Sequence, residues 1–147
     1  MPPHTLHDRG GAPAGFEAVA LRGPFFGGRT VFIGPGGRRD LFAARITGED
    51  CNGLGITHGG VIATLADIFL VGFLAGKLPA DARLVTAGLA VDYLGPSSEG
   101  DWLTGRIHAH RVGRSQCIAS GELRVDDRAV ALIKAHCVIL SPERSPS

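Results

Sequence analysis

Cysteine is scarce in this chain and badly placed for cross-linking. Cys51, Cys117 and Cys137 are odd in number, far apart and without a CxxC pair, which argues against a disulfide framework or a zinc knuckle and fits a reducing cytosol. Aromatic side chains are also few, 6% of 147 residues with a single Trp and a single Tyr, so the core has to be built from aliphatic side chains and alanine. An excess of charge of either sign is missing: the net is +1, without the basic stripe that a phosphate backbone requires, and nucleic acid is not an expected partner. Lysine supplies only two of the fifteen basic residues. The other thirteen are arginines, whose planar fork suits phosphate and carboxylate and keeps a small phosphorylated ligand open. No apolar run reaches the roughly 20 residues of a bilayer span. The longest, Val61 to Ala75, carries Asp67 at its middle, so a soluble, cytoplasmic protein without membrane contact is expected. Residues 1–15 are polar and rich in Pro, Gly and His, with no apolar stretch of the secretory kind.

What remains is a globular balance, 44% hydrophobic and 20% charged, at a length that holds one core. The expected organisation is a flexible tail over 1–15, a single domain over 16–140 and a second flexible tail over 141–147. Arg29 to Ile33 and Asp40 to Thr47 read as a strand hairpin around Gly34-Pro35-Gly36-Gly37. Glu49 to Ile56 lacks periodicity and reads as a loop. Thr57 then offers an N-cap for a helix from His58 to about Lys77, with Gly76 as C-cap and Pro79 as the stop. From Arg83 the period becomes two, with Val85, Ala87, Leu89, Val91 and Tyr93 on one face and Thr86, Gly88, Ala90 and Asp92 on the other. Further strands near Trp102 to Val112, Ser115 to Val125 and Ala129 to Leu140 complete an expected meander of four, turning at Gly113-Arg114 and Asp126-Asp127. The plan is α+β: one long helix, apolar on all sides and therefore buried, wrapped by a curved antiparallel sheet of five to six strands. Gly88, Gly105 and Gly121 would permit curvature or close approach of helix to sheet.

Two features of the helix do not belong to packing. Asp67 is the only ionisable side chain between His58 and Lys77, and an unpaired buried carboxylate costs several kcal/mol unless it is neutralised or partnered. A structural hydrogen bond to a strand or a symmetry mate, or a place on an exposed side of the helix, would explain it; catalysis explains it better. The helix also starts with Gly59 and Gly60, where other residues would be more stable by up to about 1 kcal/mol each. Glycine there leaves the N-terminal N–H groups open to an anion or a carbonyl oxygen. Gly59 and Asp67 are eight residues apart, roughly 12 Å along the axis and about 80° around it. They cannot reach one carbonyl from the same helix, so a shared reacting centre requires a second copy of the chain, with two helices antiparallel about a twofold axis.

Asn52, Gly55, His58-Gly59-Gly60 and Asp67, followed by Thr86 and the strand end Tyr93-Leu94-Gly95-Pro96, resemble the hotdog-fold acyl-CoA thioesterases of the phenylacetate-degradation (PaaI) type over about Asp40 to Leu140. The resemblance implies a hotdog fold, homodimers usually paired into homotetramers, and hydrolysis of an acyl-coenzyme A, with coenzyme A as part of the substrate and no separate cofactor or metal. It makes Asp67 the carboxylate that attacks the thioester carbonyl or activates water, and the Gly59 amide the donor that polarises the carbonyl oxygen. Asn52 and His58 would shape the loop before the helix and orient the thioester or water, and Thr86 would place its hydroxyl near the carboxylate. Gly113-Arg114-Ser115 is similar to the family's Gly-Arg turn, so Gly113 and Arg114, with Gly60 at the helix start, are the expected coenzyme A contacts. Residues before Asp40, including Arg38-Arg39, match nothing diagnostic, and Asp92 has no assigned role.

Other signals carry less. Gly53 to His58 nearly spells GxGxxG, but a histidine replaces the third glycine and antiparallel strands follow, which argues against a dinucleotide site. No P-loop run occurs. His108 and His110 would share one strand face and could ligate a metal, without a clear third ligand. The alternatives to a thioesterase are a catalytically silent protein that binds acyl-CoA or a related acyl ligand, and a hydratase acting on enoyl-CoA, which needs Asp and His side by side.

Overall fold

Period-two runs of small and branched apolar residues, punctuated by Gly, Pro and Asp, build a sheet; one continuous apolar run builds a helix to lie in it. The computed structural model describes residues 11–26 and 28–140, so residues 1–10 of the tail expected at 1–15, and the whole tail expected at 141–147, lie outside the described residues. The elements are β1 (Glu17–Ala20), β2 (Thr30–Gly34), β3 (Arg38–Arg45), α1 (Gly59–Ala75), β4 (Arg83–Tyr93), β5 (Trp102–Val112), β6 (Gln116–Val125) and β7 (Arg128–Leu140), with short 3-10 turns before β2, between β2 and β3, and at Gly48–Asp50. All seven strands form one sheet in the order β1-β2-β3-β5-β6-β7-β4, and every neighbouring pair is antiparallel.

The expected α+β plan is present, with differences that have local causes. The sheet has seven strands where five to six were expected. The addition is β1, whose four residues are too few to show a period and which pairs with β2 from Glu17↔Ile33 to Ala20↔Thr30. The meander has three members, not four: β4 sits at the far edge beside β7, and β3 occupies the place next to β5. The connection after β4 brings this about. It passes the start of the helix, where buried Ser97 and Thr57 hydrogen-bond through their hydroxyls at 2.6 Å and through Thr57 N–H to Ser97 C=O at 2.7 Å. It then reaches the end of β3, where Gly100 N–H donates to Ile46 C=O and Ile46 N–H to Asp101 C=O. Such contacts are long-range and leave no trace in local periodicity.

The core sits between α1 and the inner face of the sheet. Leu65, Phe69, Leu70 and Leu74 have no exposed surface, and each buried side chain of this size contributes about 1.5–3 kcal/mol. Phe69 stacks on Phe42 with ring centroids 5.0 Å apart and lies over Gly105, where a Cβ would come within 2.9 Å of the Phe69 ring. The close approach expected of Gly105 is therefore real. At Gly121 a Cβ would meet the Arg106 carbonyl at 2.1 Å, inside a fold of β5.

That fold is one of several irregularities in the sheet, and two of them, in β5 and β4, turn side chains named above. In β5 the register shifts between Ile107 and Ala109, so His110 turns inward against Phe73, edge-on at 4.9 Å, while His108 approaches Glu122 at 3.6 Å. The expected common face for the two histidines is lost, and no cluster of three metal-ligating side chains exists among the described residues. In β4 the register shifts between Thr86 and Gly88. The inserted Ala87 breaks the strict alternation: Thr86, Leu89, Val91 and Tyr93 oppose the inward Cys137, Ala135, Ile133 and Ala131 of β7. Asp92, expected beside Thr86, faces the other side. A bulge is one extra residue, and period counting across it fails by one.

Candidate active site

The helix begins one residue later than expected and is capped by a different residue. His58, not Thr57, is the N-cap: its Nδ1 accepts the Gly60 N–H at 2.8 Å, which leaves Nε2 to carry the proton of a neutral ring. The Thr57 hydroxyl is turned into the buried pair with Ser97 instead. At the other end α1 stops at Ala75 rather than near Lys77, and Gly76 is the C-cap, as expected. His58 is itself held by its backbone N–H, which donates to Asp50 C=O at 2.8 Å. Asp50 is buried, takes the Thr47 N–H on its carboxylate at 2.9 Å and pairs with Arg29.

Asn52 organises the loop before the helix. Its side-chain oxygen accepts from Leu54 N–H at 2.9 Å and more weakly from Ile56 N–H at 3.4 Å, an Asx turn. Gly55 closes the turn at φ 76°, a left-handed conformation that glycine adopts without steric cost. With Gly60 N–H satisfied by His58, the helix-terminal donor that meets no acceptor among the described residues is Gly59 N–H. Opposite it, Tyr93 on β4 donates its phenol to Gly59 C=O at 2.6 Å. A Cβ at Gly59 would approach that hydroxyl at 3.3 Å.

Asp67 lies midway along α1 and is half-buried rather than buried. The helix is apolar on all sides, but its own sheet leaves one stripe partly uncovered: Ala63, Thr64, Asp67, Ile68 and Val71 are all half-exposed. Thr86 donates its hydroxyl to Asp67 Oδ1 at 2.7 Å, an interaction made possible by the β4 bulge. Beneath it the sheet runs from Thr86 to Cys137 to Cys117 across β4, β7 and β6. The Cys137 thiol is pushed up to about 11, first by burial and then by Cys117 and the Asp67 carboxylate, against a hydrogen bond with Thr86. Burial also raises Cys117.

The structure thus joins Thr86 to Asp67, and joins Asn52, His58, Gly59 and Gly60 into one loop and cap. It leaves Asp67 and Gly59 apart on the same helix. Gly113 and Arg114 sit in the exposed β5–β6 turn, closed by Gly113 N–H to Gln116 C=O. Sequence reasoning quoted Tyr93 only as part of a strand end, without a role, and missed Asp50, Arg29 and Ser97 as parts of this assembly. Only Tyr93 carried a signal, as the sole tyrosine at the end of a strand; the others act across 21 to 40 residues.

A carboxylate with a hydroxyl donor, and an open amide at a glycine-lined helix start, suit attack on a carbonyl. The family model described as thioesterase superfamily matches residues 54–132, which span the helix and the strand that carries Thr86 and Tyr93. A Pseudomonas aeruginosa protein named "Putative esterase PA0474" is 34% identical over 126 residues, covering 81% of this chain and 90% of its own. A mutant of the phenylacetic acid degradation protein PaaI from Thermus thermophilus superposes with a TM-score of 0.62 at 18% identity, over 86% of this chain and 94% of its own. A thioesterase from Streptococcus pneumoniae, described as hypothetical and solved with coenzyme A, gives 0.61 at 19% identity, over 91% and 95%. Helix, sheet and matched segment together place this chain in the thioesterase superfamily, as a hotdog fold with one central helix against a seven-stranded antiparallel sheet.

Proposed function

We propose that this protein is an acyl-coenzyme A thioesterase whose active site is shared between two copies of the chain. The observation that carries the reading is Asp67: the one ionisable side chain inside an apolar helix, on the stripe its own sheet leaves open and oriented by Thr86. The thioester carbonyl oxygen accepts from Gly59 N–H of one subunit, and Asp67 of the other faces the carbonyl carbon. A carboxylate oxygen attacks and expels coenzyme A as thiolate, leaving a mixed anhydride that water opens to free acid and regenerated carboxylate. Alternatively, Asp67 takes a proton from the water that adds, and passes it to the departing thiol. Asn52 and His58 hold the loop that presents the amide, and Arg114, with Gly113, meets the nucleotide phosphates from the exposed turn.

The dimer rests on two exposed features. β4 is an eleven-residue edge strand with Leu89 39% and Tyr93 54% exposed, and long uncovered edges of this kind invite pairing. It borders the half-exposed stripe of α1, so one partner copy covers both. Ile118 and Leu132 on the outer sheet face are exposed as well and suit the pairing of dimers into a tetramer. The free cysteines fit a cytoplasmic setting, and no described helix is long and apolar enough to cross a membrane.

The test is thiol release from a panel of aryl, short-chain and medium-chain acyl-CoAs by the protein and its Asp67→Ala variant, with fold and dimer checked. Hydrolysis that falls by about 10² or more in an intact variant supports the assignment. Binding of coenzyme A esters with no hydrolysis by either protein would replace it with a silent binding protein.

A further inference from the structure

Arg38 and Arg39 play no part in the proposed reaction, yet the fold places them in a cleft of about 560 Å³ at the other end of α1. The cleft follows from strand lengths. β3 last pairs with β5 at Leu41↔Arg106, after which Arg38 pairs with Gly34 of β2 instead. β5 continues to Val112, so a notch opens between the two strands and the last turn of the helix lies across it. Buried Phe73 and Ile107 form its floor, and Arg39, Lys77, His108 and His110 line it with Arg38.

The charges do not cancel. Asp40 is the one acid of the lining and is held by Arg38 through two hydrogen bonds, at 3.1 and 2.7 Å. Arg39 and Lys77 have no carboxylate partner among the described residues. Two full positive charges thus stand against about half a negative charge from the helix C-terminus. Lys77 lies 5.2 Å from the Phe73 ring centroid and His110 meets the same ring edge-on, so the aromatic floor is already occupied and a ligand meets cations.

Gly76 gives the exposed Arg39 stem room at the helix end. Its φ of −67° and ψ of −14° are ordinary right-handed values, so backbone conformation does not call for glycine. A Cβ there would stand 2.9 Å from Arg39 Cδ, so an alanine would push the arginine side chain from its present place. The missing side chain lets the arginine stem lie across the helix end.

We infer that this cleft binds the phosphate monoester group of a small molecule. A phosphate dianion has oxygens enough to meet the Arg39 fork and the Lys77 ammonium together, and the volume leaves room for an organic remainder. Gly76 lies nine residues beyond Asp67, about 13 Å along the helix and half a turn around it. The site is therefore separate from the thioester site.

The test is calorimetric titration of the full chain at low ionic strength with ribose 5-phosphate and with inorganic phosphate, alongside Arg39→Ala, Lys77→Ala and Gly76→Ala. The wild type should bind the ester, and each variant should weaken binding roughly tenfold. Gly76→Ala does so without removing a charge, and thioester hydrolysis stays unchanged in all three. Tighter binding of the ester points to a phosphorylated metabolite, and equal binding to free phosphate; either supports the site. No binding of either probe at about 10 mM, or equal binding by wild type and variants, overturns it.

Discussion

Thr86 acts on Asp67 through one hydrogen bond of 2.7 Å. A hydrogen bond to a charged group contributes about 1.5–3 kcal/mol, part of which a half-exposed carboxylate recovers from water. Thr86→Val should therefore lower kcat for thioester hydrolysis about tenfold while the thermal midpoint moves little; steady-state kinetics beside a melting curve would show it, and an unchanged kcat would remove Thr86 from the site. Cys137 makes a prediction about pH. Its thiol is pushed from 9.0 up to about 11, chiefly by burial, so between those values the unfolded chain releases a proton that the native chain keeps. The contribution is complete below pH 9 and is lost as pH rises toward 11, with a slope of at most about 1.4 kcal/mol per pH unit. Denaturant midpoints across that range should fall in the wild type and fall less steeply in Cys137→Ala. At this scale Asp67 was legible in the sequence because a lone carboxylate in an apolar helix is conspicuous. Its half-exposed setting was not, because the stripe left open depends on where the sheet ends.

The helix start and strand β4 make their predictions as elements. His58 caps α1 through Nδ1, and removing a cap costs about 1 kcal/mol; His58→Ala should lower stability by that amount and blunt hydrolysis more than its destabilisation explains, since the same residue positions Gly59. The bulge at Ala87 puts Thr86 on the face of Leu89 and Tyr93. Deleting Ala87 would restore plain alternation with Thr86 and Tyr93 six positions apart, so both would stay on the inner face, in their present pairing with β7, and keep their bonds to Asp67 and to Gly59. A folded deletion variant should therefore keep most of its hydrolysis, and a loss of rate in a folded variant would show that the shape of the bulge itself matters to the site. The extents of β5, β6 and β7 were readable from alternation and turn residues. The bulges were not, since an inserted residue looks like any other until its partner strand is in place.

For the whole molecule the decisive question is whether two copies complete one site. Asp67→Ala and Gly59→Val should each be inactive as homodimers. In mixed dimers one of the two sites holds both an intact amide and an intact carboxylate, so co-refolding equal amounts should restore roughly a quarter of wild-type activity. Failure of two well-folded variants to complement would place the whole reaction within one chain. The sequence by itself determined the helix, most of the strands, the motif around His58-Gly59-Gly60 and the isolation of Asp67, because periodicity, capping and a misplaced charge are local properties. The tertiary structure alone decided that β4 lies at the far edge beside β7, that Tyr93 and Thr86 reach the helix from the same face, and that Arg39 rests across Gly76. Each of these depends on contacts between segments tens of residues apart, formed only when the sheet closes around the helix.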